Sequence, residues 1–263
     1  VSDFEGKSAV VVGGSAGIGR AAAERLAAGG AAVAIAGVSR AEVDEAVDQL
    51  RTHGEARGEV VDVRDEAVLA NFIDATASAF GGLDILVSSA GIQRYGTVEE
   101  TSRELWNEVL DVNLTGCYLA AKYALPHLRA RGGGAIVNVS SIQASVAQAA
   151  VAAYSVSKAG INALTRALAV DYAAEGIRAN SVCPASVDTP MLRWAAGLFG
   201  EGRTTEETVA AWGGTHPLGR VAKSDEVAEV IAFLASDRSS FVTGSEYRVD
   251  GGVLAVNPAS PGN

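Results

Sequence analysis

The sequence predicts an α/β fold, a doubly wound parallel sheet with helices on both faces in a three-layer αβα arrangement. Three observations carry this expectation. Short apolar runs alternate with amphipathic helical stretches along the whole chain. A glycine-rich turn joins the first run to the first helical stretch, and no Pro/Ser linker, charge block or repeat divides the 263 residues. The expected organisation is therefore a single domain, 1–263. Near-continuous apolar strands are those of a parallel sheet buried on both faces.

The elements follow in order. Ser8 to Val12 reads as a strand and ends in Gly13-Gly14-Ser15-Ala16-Gly17-Ile18-Gly19. A helix follows with Ala21, Ala22, Leu26 and Ala27 on one side and Arg20, Glu24 and Arg25 largely opposite. Gly29-Gly30 stops it, and Ala32 to Ala36 is the second strand. Arg40 to His53 is a charged amphipathic helix, Gly58 to Val63 a strand, Asp65 to Phe80 a helix and Leu83 to Val87 a strand. Two helical stretches run from Ser102 to Arg131, then a strand over Gly134 to Val139 and a long helix from Ala152 to Glu175. Ile177 to Cys183 is a strand, and 188–214 is a variable segment of the kind that forms a lid. A helix over Asp225 to Ala235 and a strand over Glu246 to Val249 end the chain.

Composition narrows the function. A net charge of −10 with no compensating Lys/Arg cluster argues against a nucleic-acid partner. There is no N-terminal apolar h-region and no long apolar run, so neither export nor membrane spanning is expected. Cys117 and Cys183 are far apart, and with His53, His127 and His216 they form no metal-ligand spacing. Buried thiols in a cytoplasmic protein, with no metal, are the expectation.

Two constellations carry chemistry. In the glycine turn, residues without side chains let backbone amides approach an anion such as a pyrophosphate at the positive end of a helix. Tyr154 and Lys158 stand four apart in Tyr154-Ser155-Val156-Ser157-Lys158, so on a helix they share a face. A fixed cation beside a phenol favours the phenolate, which equips a tyrosine to exchange a proton with a carbonyl/alcohol pair.

With these motifs in place, the chain resembles the short-chain dehydrogenase/reductase family over nearly its whole length. The likeness is carried by the glycine turn, Val61-Asp62-Val63, Ser88-Ser89-Ala90-Gly91, Asp111-Val112-Asn113, Val139-Ser140-Ser141 and Tyr154-x-x-x-Lys158. It continues through Pro184, Asp188-Thr189-Pro190-Met191, Val242-Thr243-Gly244 and Asp250-Gly251-Gly252. The resemblance implies a Rossmann-type fold and a nicotinamide-dependent oxidoreductase. It makes Tyr154 the acid/base and has Lys158 lower its pKa and hold the nicotinamide ribose. Ser141 would bond the substrate oxygen, and Asn113 would kink its helix and hold a proton-relay water. The implied coenzyme set is Gly13, Ser15, Gly17, Ile18, Gly19, Asp62, Val63, Ala90 and Gly91, joined by Tyr154, Lys158, Pro184, Val187 and Thr189. Read without the resemblance, Asp62 and Asn113 also suit helix capping, and Ser141 a strand-end hydroxyl bonded to backbone.

The chain departs from the family at Val12, at Ser88-Ser89 and at Pro184-Ala185, none of which touches the proposed catalytic set. A further departure concerns the coenzyme. Where NAD-preferring members carry Asp at the end of the second strand, this chain has Gly37, followed by Ser39 and Arg40, which are suited to a 2′-phosphate. NADP(H) is therefore expected, NAD(H) being the alternative, and Gly37→Asp should move preference toward NAD. Gln93, Gln143 and Gln148 suggest a polar pocket, with Trp194 on the lid. The expected reaction is hydride transfer between NAD(P) and a secondary alcohol or ketone: a sugar, polyol or small polar carbonyl compound. A 3-oxoacyl-thioester reductase and a non-catalytic NAD(P)-sensing regulator are the alternatives. A homo-oligomer, a tetramer, is expected from the family and from the apolar-rich run Ser245 to Val256.

Overall fold

A computed structural model describes residues 3–257. Its strands are β1 (Ser8–Val12), β2 (Ala32–Gly37), β3 (Ala56–Val60), β4 (Ile85–Ser88), β5 (Gly134–Val139), β6 (Ile177–Pro184) and β7 (Glu246–Val249). They form one parallel sheet in the order β3-β2-β1-β4-β5-β6-β7. The helices are α1 (Gly17–Ala28), α2 (Arg40–Leu50), α3 (Glu66–Phe80), α4 (Arg103–Leu110), α5 (Gly116–Ala130), α6 (Ala152–Tyr172), α7 (Pro190–Phe199), α8 (Thr205–Gly213) and α9 (Ser224–Ala235). This is the Rossmann-type, doubly wound arrangement expected. Among the described residues, no helix is long and apolar enough to cross a membrane.

Alternation along the strands builds the three layers. Ala9 and Val11 of β1 face the core under α1, α2 and α9, with Leu26, Val43, Val47 and Ile231. Val10 and Val12 face the opposite core, with Leu69 and Phe72 of α3, Leu119 and Leu128 of α5 and Leu168 of α6. Successive side chains on a strand point to opposite faces, so both faces are covered only if each position is apolar.

The sheet winds outward in both directions from β1, whose neighbours are β2 and β4. A crevice opens beyond the strand C-termini at such a switch point, where ligands bind in folds of this type.

Several boundaries differ from the sequence reading, each for a local reason. β3 ends at Val60, not Val63, because its partner β2 ends at Gly37, whose carbonyl takes the last bond, from Val61 N at 2.9 Å. Val61 to Val63 are thereby released toward the crevice. β4 starts at Ile85 because the buried Asp84 carboxylate accepts from Ser8 N at 2.9 Å, ahead of the β1 ladder. The two helices expected from Ser102 to Arg131 run on as one, through a π-helical turn at Asp111–Thr115 between α4 and α5. The 188–214 segment forms α7 and α8, capped by Thr189 and by a Thr204/Glu207 capping box.

Candidate active site

The turn after β1 forms a cradle. Gly13 has φ +78°, and a Cβ there would lie 2.4 Å from Ala90 N; one on Gly19 would lie 2.0 Å from Gly13 O. These positions accept only glycine because backbone meets backbone. α1 begins with no side-chain cap and no acid in its first turn, so its leading amides remain unspent and positive. Most other helices here carry a capping hydroxyl or carboxylate. An uncapped helix start behind a glycine turn, opening on a cleft of about 920 Å³, fits the pyrophosphate of a dinucleotide. Ser15, Gly17 and Ile18 line that cleft with Gly13, as do Asp62 and Val63 at one end and Ala90, Gly91, Pro184, Val187 and Thr189 along its length. Gly19 lies behind the turn.

At the other end, α6 presents Tyr154 and Lys158 on one face, with Ser141 arriving from the end of β5. All three side chains are nearly buried. Lys158 Nζ sits 5.5 Å from the centre of the Tyr154 ring and donates to Val139 O at 2.9 Å. Ser141 Oγ accepts from Gln143 N at 3.1 Å. Ser140 donates to Lys158 O at 2.9 Å, tying α6 to β5, so it supports the backbone.

Asn113 is fully buried and explains the π turn. Its side chain accepts from Ile92 N at 2.8 Å, and its amide donates to Ile92 O at 2.9 Å and to Ser157 Oγ at 3.0 Å. Ser157 in turn donates to Tyr154 O at 2.7 Å. One side chain thus joins three segments: the loop after β4, the π turn and the catalytic face of α6. A Cβ placed on Gly91 would stand 3.4 Å from Asn113 Oδ1 and 3.6 Å from Lys158 Nζ, so both groups border the same spot.

The electrostatics of the Tyr154/Lys158 pair differ from the simple picture of an ammonium acidifying a phenol. Burial pushes Tyr154 up to about 12, opposed by hydrogen bonding with Ser141. Burial pulls Lys158 down to about 8. The ammonium lies over the ring and bonds a carbonyl, so desolvation outweighs its pull on the phenol.

The remaining expected residues divide. Gln93, Gln143 and Gln148 line the cleft. Trp194 reaches it only through Tyr95, on which it stacks at 5.9 Å, while Phe199 meets the same ring edge-on at 4.6 Å. Ser39 does not line the cleft; its hydroxyl caps α2 by accepting from Glu42 N. Arg40 is also outside the lining, two-thirds exposed and paired with Asp44 at 3.5 Å. Asp62 lines the cleft but is clasped by Arg64, which holds its carboxyl below the usual range. The wall residues that the sequence reading missed include Glu42, Arg64, Glu108 and His216. Glu42 and Arg64 belong to no motif of the sequence, and His216 sits in a stretch with no periodic pattern.

Chemically, two hydroxyls converge beside a cation at one end of a cleft whose other end suits an anionic dinucleotide. Several known proteins resemble this chain over nearly its whole length. The family described as enoyl-(acyl carrier protein) reductase matches residues 12–254. The cis-4-hydroxycyclohexanecarboxylate dehydrogenase of Sinomonas cyclohexanicum is 46% identical over 255 residues, covering 96% of this chain and 98% of that protein. The meso-2,3-butanediol dehydrogenase of Serratia marcescens is 36% identical over 253 residues, covering 96% of each. The ligand-free structure of Thermoplasma acidophilum aldohexose dehydrogenase superposes with a TM-score of 0.91 at 37% identity, over 100% of this chain and 99% of that one. The chain belongs to the short-chain dehydrogenase/reductase family and is an NAD(P)-dependent oxidoreductase acting on alcohols.

Proposed function

We propose that this enzyme interconverts a small secondary alcohol, a sugar, polyol or hydroxylated ring, with its ketone. The observation that carries the reading is the meeting of Ser141, Tyr154 and Lys158 at the end of a cleft that begins at an uncapped helix start. A bound nicotinamide supplies or accepts the hydride. The protein handles the oxygen: the Tyr154 hydroxyl gives or takes the proton, and Ser141 donates to the same oxygen and steadies its charge. Lys158 holds the coenzyme ribose, and Asn113 fixes the loop after β4 and holds a water that relays protons to Lys158. Relatives named for a hydroxycyclohexanecarboxylate, cyclohexanol, a butanediol and an aldohexose support a hydroxy compound over an acyl thioester. The net charge of −10, with no basic cluster, points the same way, since it repels an acidic carrier.

For the coenzyme, the sequence expectation of NADP(H) rests on Gly37 and Arg40. The geometry weighs against a 2′-phosphate: Arg40 is drawn to Asp44, and Glu42, which makes no side-chain ion pair among the described residues, lines the cleft beside Gly37 and Val38. The coenzyme we propose is therefore NAD(H), with Glu42 accepting from the adenosine ribose. NADP(H) remains the rival. The segment 188–214 closes as a lid over Tyr95. Exposed Val170 and Phe241 support a homo-oligomer, a tetramer, and the buried free thiols support a reducing, cytoplasmic setting. An absorbance screen of both coenzymes against sugars, polyols, cyclic alcohols and β-keto esters tests the reading. Turnover confined to β-keto thioesters would overturn it.

A further inference from the structure

We infer that the cleft contains a second polar subsite, built on His216, that accepts a hydrogen bond from a substrate hydroxyl other than the one oxidised. The substrate is then a diol or polyol, not a simple alcohol; this rests on the dehydrogenase reading above. His216 lines the same cleft as Tyr154 and Ser141 and is 5% exposed. Its Nδ1 lies 3.2 Å from Trp212 O and 3.3 Å from Thr215 Oγ1. The carbonyl can only accept, and Thr215 spends its own hydrogen on that carbonyl at 2.8 Å. Nδ1 therefore carries the ring proton. In the neutral imidazole, Nε2 is left as a bare lone pair, and it is buried with no partner among the described residues.

A buried acceptor without a protein donor is rare in a folded protein, because burial costs it a hydrogen bond that another group must supply. The packing holds the ring in place: a Cβ on Gly251 would lie 3.4 Å from His216 Cβ and Cδ2. Gln143, two residues beyond Ser141, supplies a second acceptor of the same kind. Its amide donates to Gln148 Oε1 at 2.8 Å while its own Oε1 is buried and unpartnered. Two idle acceptors on the wall of an alcohol site call for hydrogen-bond donors. A hydroxyl donates, whereas a carboxylate or a second ketone brings only more lone pairs.

The test compares kcat/KM for cyclohexanol, vicinal cyclohexanediols, myo-inositol and a hydroxycyclohexanecarboxylate, in the wild type, His216→Leu and His216→Gln. The wild type should favour the polyhydroxy substrates. His216→Leu should lower the diol-to-cyclohexanol ratio at least about tenfold, chiefly through KM, and the Gln variant, which keeps an acceptor, should recover part of it. A ratio unmoved by His216→Leu overturns the proposal. So does a carboxylate substrate whose advantage disappears in the Leu variant, since an imidazolium would then be holding an anion. If the Leu variant does not fold, the wild type decides alone: cyclohexanol used as well as every diol overturns the subsite. Failure to turn over any alcohol by protein shown to bind coenzyme overturns the dehydrogenase reading itself, and this proposal with it.

Discussion

Replacing Lys158 with methionine should abolish turnover yet stabilise the coenzyme-free protein at neutral pH, and that gain should disappear in alkali. Lys158 is 4% exposed, and its ammonium bonds a carbonyl at 2.9 Å with no carboxylate paired to it among the described residues. Burial lowers its pKa from 10.5 to about 8. Below pH 8 the side chain is charged both folded and unfolded, so the native state bears the whole desolvation cost, about 3 kcal/mol from the difference between those values. As pH rises from about 8 to 10.5, the native site releases its proton while the unfolded chain keeps it, and the cost fades. Methionine has no charge to bury but leaves Val139 O without a donor, a pH-independent loss of about 1–2 kcal/mol. The net gain at pH 7 is then about 1–2 kcal/mol, a rise in Tm of about 2–8 °C. Towards pH 10 the difference should reverse sign. Urea and thermal unfolding followed by circular dichroism, at one protein concentration across this range, would read it. A stability difference that stays flat with pH would refute the claim that a buried, unneutralised ammonium sits in this site.

Tyr154→Phe should cut turnover at least about a hundredfold while NADH binding, followed by fluorescence, stays near that of the wild type, because only the proton-bearing oxygen is lost. Asn113→Leu should lower stability by about 2–4 kcal/mol, since it strands both Ile92 backbone groups, and the loss should be accompanied by faster amide exchange in the π turn. Glu42→Gln should shift the ratio of NADPH to NADH dissociation constants toward NADPH by about threefold to tenfold in titrations without substrate; an unchanged ratio removes Glu42 from coenzyme choice. Gly37→Asp, the substitution the sequence recommends for favouring NAD, should instead weaken both coenzymes, because its Cβ would fall 2.4 Å from Ser15 Oγ and 2.8 Å from Ser15 Cβ.

The sequence by itself determined the layered parallel sheet, because apolar runs alternating with helical periods bury both faces of the central strands only in that arrangement. It also determined the glycine cradle and the shared face of Tyr154 and Lys158, which follow from local geometry: a turn that admits no Cβ, and a helical spacing of four. Tertiary structure decided what depends on distant groups. Arg40, which its place after the second strand makes a candidate phosphate ligand, stands two-thirds exposed and outside the cleft lining in the folded protein. Glu42 and Arg64 join the cleft because β2 and β3 end where they do, and Trp194 stacks on Tyr95 because α7 packs there. The charge state of Tyr154 and Lys158 was likewise beyond the sequence. Spacing shows that a phenol and an ammonium are neighbours, but only burial shows that desolvation exceeds their attraction. His216 gave no signal in the chain, since a lone pair becomes conspicuous only once every potential donor around it has been placed.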